Sequence, residues 1–157
     1  MSLAIYPGTF DPFTKGHLDI LERAILLFDE VEVTVAVNVS KSPLLSLQER
    51  CELVQACTEG LAGVSVASFD GLLMDHARRR EAVAVIRGLR QVTDFDYEYR
   101  MLFANRRLHP TCETVFLMPS ESHALIHASL VREIHRLGGD ISSFVPAPVL
   151  KTLQAKK

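Results

Sequence analysis

The sequence predicts an α/β fold: one doubly wound, five-stranded parallel sheet with helices on both faces. Three observations carry that expectation. Short runs rich in Val and Ile recur five times, stretches with helical spacing of apolar residues separate them, and no repeat, low-complexity tract or linker divides the chain. Strands that alternate with helices pair in parallel, because each crossover helix returns the chain to the same end of the sheet. With 157 residues, 48% of them hydrophobic, the chain fills one core and is too short for two ordinary domains. Residues 1–157 are therefore read as a single domain with a short helical tail from about residue 146.

The first strand, Leu3-Ala4-Ile5-Tyr6, reads as buried. A loop then leads into an amphipathic helix in which Leu18, Leu21, Ile25 and Phe28 recur at helical spacing, with Asp19, Glu22 and Arg23 between them. Val31 to Val37 forms the second strand. Ser46-Leu47-Gln48-Glu49 is a capping box, so a helix opens there and runs to about Thr58, with Gly60 as its stop. Val64 to Phe69 is the third strand, Leu72 to Arg80 a short helix, and Ala82 to Arg87 the fourth strand. Asp94, Asp96 and Glu98 then sit in the first turns, and Arg106 and Arg107 in the last, of a segment whose charges complement a helix dipole; Pro110 ends it. After the fifth strand, Thr114 to Met118, a helix carries Leu130, Val131, Ile134 and Leu137 on one stripe and stops at Gly138-Gly139.

Composition narrows the partners. Seventeen Lys and Arg against nineteen Asp and Glu give a formal charge of -2, which argues against nucleic acid or a membrane surface as the main partner and leaves small ligands. Cys51, Cys57 and Cys112 are odd in number and form no C-x-x-C, so reduced core thiols are expected rather than disulfides or a zinc site. No apolar stretch approaches the roughly 20 residues that span a bilayer. The first apolar run is broken at Pro7 and has no basic leader, so the expected location is the cytoplasm.

A doubly wound sheet binds ligands at the carboxyl ends of its strands, where the strand order reverses. The chemistry-bearing residues fall at such ends. The loop from Tyr6 to His17 delivers Gly16 and His17 to a helix start, where free N–H groups and the dipole favour a phosphate and glycine lets it approach the main chain. His17 can donate a hydrogen bond to that phosphate, although a histidine here also suits a helix cap or a partly buried structural role. Thr9 and Thr14 serve equally as turn or capping hydroxyls. Ser40-Lys41 follows the second strand, Asp70 to Leu73 the third, Arg87-Gly88-Leu89-Arg90 the fourth and Pro119 onward the fifth. Any one of these cations alone reads as surface charge. At strand ends, with Arg87 and Arg90 bracketing Gly88-Leu89, they read as phosphate partners.

Nucleotidyl transfer to a phosphate acceptor needs no strong base, because the acceptor is already an oxyanion; charge stabilisation and alignment are the main tasks, and His17, Lys41, Arg87 and Arg90 suit them. His123 and His127 are four residues apart, but no Glu follows His123 and no third ligand is evident, so loop histidines are expected rather than a metal pair. Arg78, Arg79 and Arg80 read as a solvated helix end. Tyr97, Tyr99, Leu102 and Phe103 read as packing or subunit-contact residues.

Thr14-Lys15-Gly16-His17 has the (His/Thr)-x-Gly-His form of the nucleotidyltransferase superfamily, and with the prefix Pro7-Gly8-Thr9-Phe10-Asp11-Pro12 it resembles the bacterial phosphopantetheine adenylyltransferase family. Ser40-Lys41-Ser42-Pro43, Leu47-Gln48-Glu49-Arg50, Ile86-Arg87-Gly88-Leu89-Arg90, Asp94-Phe95-Asp96-Tyr97-Glu98, Val115-Phe116-Leu117-Met118-Pro119 and Ser129-Leu130-Val131-Arg132-Glu133 follow in the family's order, so the likeness covers nearly the whole chain. The resemblance implies a Rossmann-like fold and transfer of the adenylyl group of ATP to 4′-phosphopantetheine, giving dephospho-coenzyme A and pyrophosphate, with magnesium as metal partner. It implies that Thr9, Lys41, Leu73 and Arg87 contact phosphopantetheine. It places Thr9, Phe10, His17, Gly88, Leu89, Arg90 and Glu98 at ATP, together with His123, Ala124, Leu125, Ile126, His127, Ala128 and Ser129. His17 and Lys41 are the implied transition-state stabilisers, with no protein nucleophile. A homohexamer of two trimers and feedback inhibition by coenzyme A also belong to the family.

One segment departs from the family. Ile126-His127-Ala128-Ser129 stands where Ile-Ser-Ser-Ser or Ile-Ser-Ser-Thr is usual, and the aromatic residue that often precedes it is missing. Altered ATP affinity is the expected consequence, since the backbone amides and Ser129 remain. Two other readings stay open: a small nucleotidyltransferase acting on nicotinate mononucleotide or glycerol phosphate, and a nucleotide-binding regulator without catalysis. A hydride-transferring enzyme is disfavoured, because no G-x-G-x-x-G follows the first strand.

Overall fold

The computed structural model describes residues 1–38 and 42–156. Its strands are β1 (Leu3–Gly8), β2 (Glu30–Ala36), β3 (Val64–Phe69), β4 (Ala84–Gly88) and β5 (Glu113–Leu117), all parallel, in the order β3-β2-β1-β4-β5. Helices α1 (Lys15–Ala24), α2 (Leu47–Thr58), α3 (Leu73–Arg79), α4 (Val92–Leu108), α5 (Ala128–Arg136) and α6 (Ala147–Gln154) complete the expected Rossmann-like arrangement. A short 3-10 turn at Glu121–His123, absent from the sequence expectation, precedes α5.

Both faces of the sheet are covered. On one, Tyr6, Val33 and Ile86 pack with Leu21 of α1, Val54 of α2 and Leu153 of α6; on the other, Ile5 and Val85 pack with Met74 and Ala77 of α3. β2 is buried from Val31 to Val35, so Glu32 lies inside at 1% exposure, on the α3 face. Its carboxylate is fully engaged: Arg80 Nε donates at 2.6 Å, Thr34 Oγ1 at 3.1 Å, and His76 Nε2 lies 2.7 Å away. Arg80 is thus an ion-pair partner of the core and not simply part of a solvated helix end, which corrects the expectation for the triple arginine.

Two element ends also differ from expectation. α1 stops at Ala24, and Phe28 reaches the core from the turn that follows. β4 starts at Ala84 because the Ala82 N–H turns back to Ala77 O at 3.0 Å, closing α3 through Glu81 at φ +55°.

The seam between β1 and β4 positions the site. β1 is paired with β2 over six residues but with β4 over two, Ala4↔Ala84 and Ile5↔Val85. Beyond those pairs, Tyr6-Pro7-Gly8 and Ile86-Arg87-Gly88 part company. Pro7, which has no N–H to offer a ladder, sits where the strands separate. The crevice opens at the carboxyl ends, at the point where strand order reverses.

Candidate active site

The loop after β1 is shaped by aromatic packing. A Cβ on Gly8 would lie 2.8 Å from the Phe10 ring, so only glycine lets that ring fold beneath the strand. Phe10 itself takes φ +51°, a left-handed conformation that costs a non-glycine residue energy and is held by its surroundings. Its ring meets those of Tyr6, Phe13 and His17 at centroid distances of 5.6, 5.5 and 5.0 Å.

Thr14 then caps α1. Its Oγ1 accepts the His17 N–H at 3.3 Å, while its own N–H donates to His17 Nδ1 at 3.0 Å. An amide N–H can only donate, so Nδ1 carries the lone pair and the imidazole proton sits on Nε2. The ring stacks on Phe13 at 5.6 Å and 29°. Burial among these rings, reinforced by the Arg90 charge, pushes the His17 pKa down to about 3. At neutral pH His17 is an uncharged imidazole whose Nε2–H is a fixed donor with no partner among the described residues.

The facing wall comes from β4 and α4. Arg87 donates from Nε and Nη2 to both oxygens of Glu98, at 2.8 and 2.6 Å, a bidentate pair with Glu98 buried. Burial of Arg87 works against its charge, but Glu98 more than offsets that, so its pKa is raised. Asp94 accepts the N–H groups of Arg90 and Gln91, each at 3.2 Å, and lies 3.7 Å from Arg90 Nε, anchoring the turn that presents Arg90.

Between the walls is a cavity of about 400 Å³, into which His17, Arg87 and Arg90 converge against Phe10, Ile20 and Ile126. A few cationic and N–H donors on apolar walls suit an anionic ligand with a flat apolar part. A second cavity of about 80 Å³ shares Arg87, Tyr97 and Glu98 with the first and adds Leu73, Met101, Leu102 and Asn105.

Residues 5–134 match the cytidylyltransferase-like family. The phosphopantetheine adenylyltransferase of Azoarcus sp. (strain BH72) is 53% identical over 154 residues, covering 98% of this chain and 94% of its own. The one from Aromatoleum aromaticum is 51% identical with the same coverage. This chain belongs to the phosphopantetheine adenylyltransferase family. Among solved structures, a Vibrio parahaemolyticus protein with the provisional name nicotinate-nucleotide adenylyltransferase aligns with a TM-score of 0.78 over 98% of this chain and 99% of its own; at 19% identity that likeness speaks for the fold.

Of the residues matched to the phosphopantetheine adenylyltransferase pattern, Phe10, His17, Arg87, Gly88, Arg90, Glu98 and Ile126 line the larger cavity, and Leu73 lines the smaller. Lys41 lies outside the described residues. Thr9 has an exposed side chain off the cavity lining, and Leu89 is placed by its N–H bond to Leu117 O at 2.9 Å. From His123 to Ser129 only Ile126 is buried and lines the cavity; Leu125 and Ser129 are exposed. His123 belongs to the 3-10 turn, its Nδ1 2.9 Å from Ser120 Oγ, whereas His127 is the N-cap of α5, so the two share no helix face. His127 Nε2 lies 3.4 Å from Gln91 Nε2, and burial and Arg90 lower its pKa against the opposing effect of Asp94.

Several lining residues, Tyr97 and Asp94 among them, were not expected at the site. Tyr97, read as packing or subunit contact, lines both cavities, and Asp94 lines the larger one. A helical signal was available: Asp94, Tyr97 and Glu98 stand at i, i+3 and i+4 on one face of α4.

Proposed function

We propose that this chain transfers the adenylyl group of ATP to 4′-phosphopantetheine, forming dephospho-coenzyme A and pyrophosphate in coenzyme A biosynthesis. The observation that carries the proposal is the neutral His17 imidazole, whose Nε2–H stands with Arg87 and Arg90 in one crevice at the strand-order switch.

An acceptor phosphate oxygen attacks the α-phosphorus in line. A new O–P bond forms while the bond to the pyrophosphate oxygen breaks, and its electron pair leaves on that oxygen as one new negative charge of pyrophosphate. The acceptor phosphate, whose second pKa is near 6, is already an anion at neutral pH, so no residue needs to remove a proton. His17, fixed in its neutral form, donates to an α-phosphate oxygen as charge develops there. Arg90 holds the triphosphate. Arg87, oriented by Glu98, receives the acceptor phosphate, Thr9 and Lys41 are its further proposed partners, and the pantetheine arm runs past Leu73. Gly88, Leu89 and Phe10 frame the nucleotide, and the N-terminal turn of α5 meets the β- and γ-phosphates with the backbone around His127 to Ser129.

Among the described residues no group of three or more His, Cys, Asp or Glu is placed to hold a metal ion. Magnesium enters this scheme as the counter-ion of the triphosphate, part of the substrate. The row of exposed rings on α4, Phe95, Tyr99 and Phe103, with neighbouring centroids 5.6 and 4.9 Å apart, suits burial between subunits of a homohexamer. Coenzyme A, which contains the product, suits the same crevice as an inhibitor. No helix among the described residues is long and apolar enough to cross a membrane; a cytoplasmic location is proposed.

The test is pyrophosphate release from magnesium-ATP with 4′-phosphopantetheine, nicotinate mononucleotide and glycerol phosphate run in parallel, and the nucleotide product weighed. Dephospho-coenzyme A from phosphopantetheine alone is expected. Preference for another acceptor, or ATP binding without turnover, overturns the proposal.

A further inference from the structure

Two buried polar residues outside the cavity lining clasp the first loop to the stretch that follows β2. Asp11, 4% exposed, accepts two consecutive amides: Leu45 N–H at 2.8 Å on Oδ1 and Leu44 N–H at 2.9 Å on Oδ2. Arg50, 1% exposed on α2, sends one nitrogen to two carbonyls, Nη1 donating to Thr9 O at 2.9 Å and to Ala36 O at 2.8 Å. Ala36 is the last residue of β2, and Thr9 immediately precedes Phe10.

Arg50 is an unusual choice for packing alone. Among the described residues it has no ion-pair partner, and its Nε finds no hydrogen bond. A buried guanidinium without a carboxylate carries a desolvation cost that an apolar side chain of like size would avoid. What it supplies instead is directional: a fixed span between two strand-end loops. Asp11 ties the same two segments a few residues further along, and its own carbonyl is held by Arg132 Nη1 of α5 at 2.8 Å.

We propose that Asp11 and Arg50 are positioning residues for adenylyl transfer. They hold the loop that leads to His17 at one spacing from the end of β2 and the approach to α2, so that the His17 donor stays aligned with the reacting α-phosphate. The inference rests on the reaction proposed above. Neither side chain reaches the β4–α4 wall that holds ATP. Displacement of reacting groups by about 1 Å costs on the order of 100-fold in rate, so loss of the clasp lowers kcat much more than nucleotide affinity, to which Arg90, Gly88 and Leu89 on the other wall still contribute.

The experiment compares Asp11→Asn, Arg50→Lys, Arg50→Met and the Asp11→Asn/Arg50→Met double variant with the unaltered protein. It measures kcat, KM for ATP, far-UV circular dichroism and amide hydrogen exchange at Leu44 and Leu45. Expected are a fall in kcat of about 10- to 100-fold, KM for ATP within about threefold, and Arg50→Lys intermediate between Arg50→Met and the unaltered chain. The double variant is expected to be no slower than the slower single one, because both act on one clasp. Exchange at Leu44 and Leu45 should quicken in the folded Arg50→Lys protein. Folded variants with kcat within about twofold of the unaltered chain overturn the inference, as does a KM for ATP that rises in step with the loss of kcat. Should the unaltered chain fail to turn over phosphopantetheine, the reaction is wrong; the exchange rates still report on the clasp, and unchanged protection in Arg50→Lys refutes it independently.

Discussion

Replacing His17 with glutamine separates two things the imidazole does. Nδ1 accepts the Thr14 N–H and completes a capping box, while Nε2–H is the donor in the cavity. Glutamine at the third helical position is an ordinary capping-box partner and can restore the first contact. It cannot place a rigid donor where Nε2 stands. The stability at risk is then the ring contacts with Phe10 and Phe13, about 0.5–1.5 kcal/mol each at most, against a further ~1 kcal/mol for the cap in His17→Ala. The rate effect is larger. Losing one preorganised donor to a developing oxyanion costs about 2.7–4 kcal/mol, or about 100- to 1,000-fold in kcat. Chemical denaturation and pyrophosphate release at saturating substrates give both quantities on the same preparation. We expect His17→Gln to stay folded, more stable than His17→Ala, with kcat down by about two to three orders of magnitude. A glutamine variant within tenfold of the parent rate would remove His17 from transition-state stabilisation, and a limb in the parent's pH–rate profile near 6.5 that vanishes in the variant would make it an acid–base catalyst instead.

The depressed pKa of His17 also links folding to pH. The folded ring titrates at about 3 and the unfolded one near 6.5, so between those values the unfolded chain binds more protons and stability falls as pH drops. On the order of 1–2 kcal/mol should be lost between pH 7 and pH 5, and denaturant midpoints of His17→Gln should lack that component. Glu98→Ala leaves the half-buried Arg87 without its bidentate partner; a loss of about 1–3 kcal/mol in stability and a raised KM for the acceptor are expected, read by denaturation and steady-state kinetics. Glu32→Leu removes the acceptor shared by His76 and Arg80 in the core; because Arg80 is partly solvated, about 3 kcal/mol should be lost, with kcat unchanged in the folded protein.

Much of this architecture could be read from the chain because each piece is local. Val- and Ile-rich runs mark strands, and Ser46 with Glu49 marks the start of α2 through contacts only three residues apart. His17, Arg87 and Arg90 were legible as a set because a doubly wound sheet gathers its strand ends on one edge. The features that escaped depend on partners distant in sequence. Glu32 alternates with valines like a residue on a wet face, yet α3, more than forty residues on, brings His76 and Arg80 to it. Arg50 reads as a charge inside a helix start, and only the meeting of Thr9 O with Ala36 O gives it a role. Glu98 was found through family likeness, but its grip on Arg87 joins β4 to α4 and has no signature in spacing. The early end of α1 escaped because a hydrophobic stripe records which residues face the core and not whether the backbone there is still helical.

The narrow seam between β1 and β4 has a consequence for how the protein comes into being. Ala4 meets Ala84, which lies 80 positions further along the chain, and closing a loop of that length costs about 4 kcal/mol in chain entropy before any constant term. Only two residue pairs register along the seam, whereas β1 and β2 can zip together over six as soon as α1 has folded between them. A growing chain therefore has β1, β2 and β3 before β4, and still has no crevice. That crevice exists only once the later half docks. Two fragments divided in the turn between α3 and β4 should each be inert and should regain turnover on mixing, which makes catalysis a direct clock for the docking of the two halves.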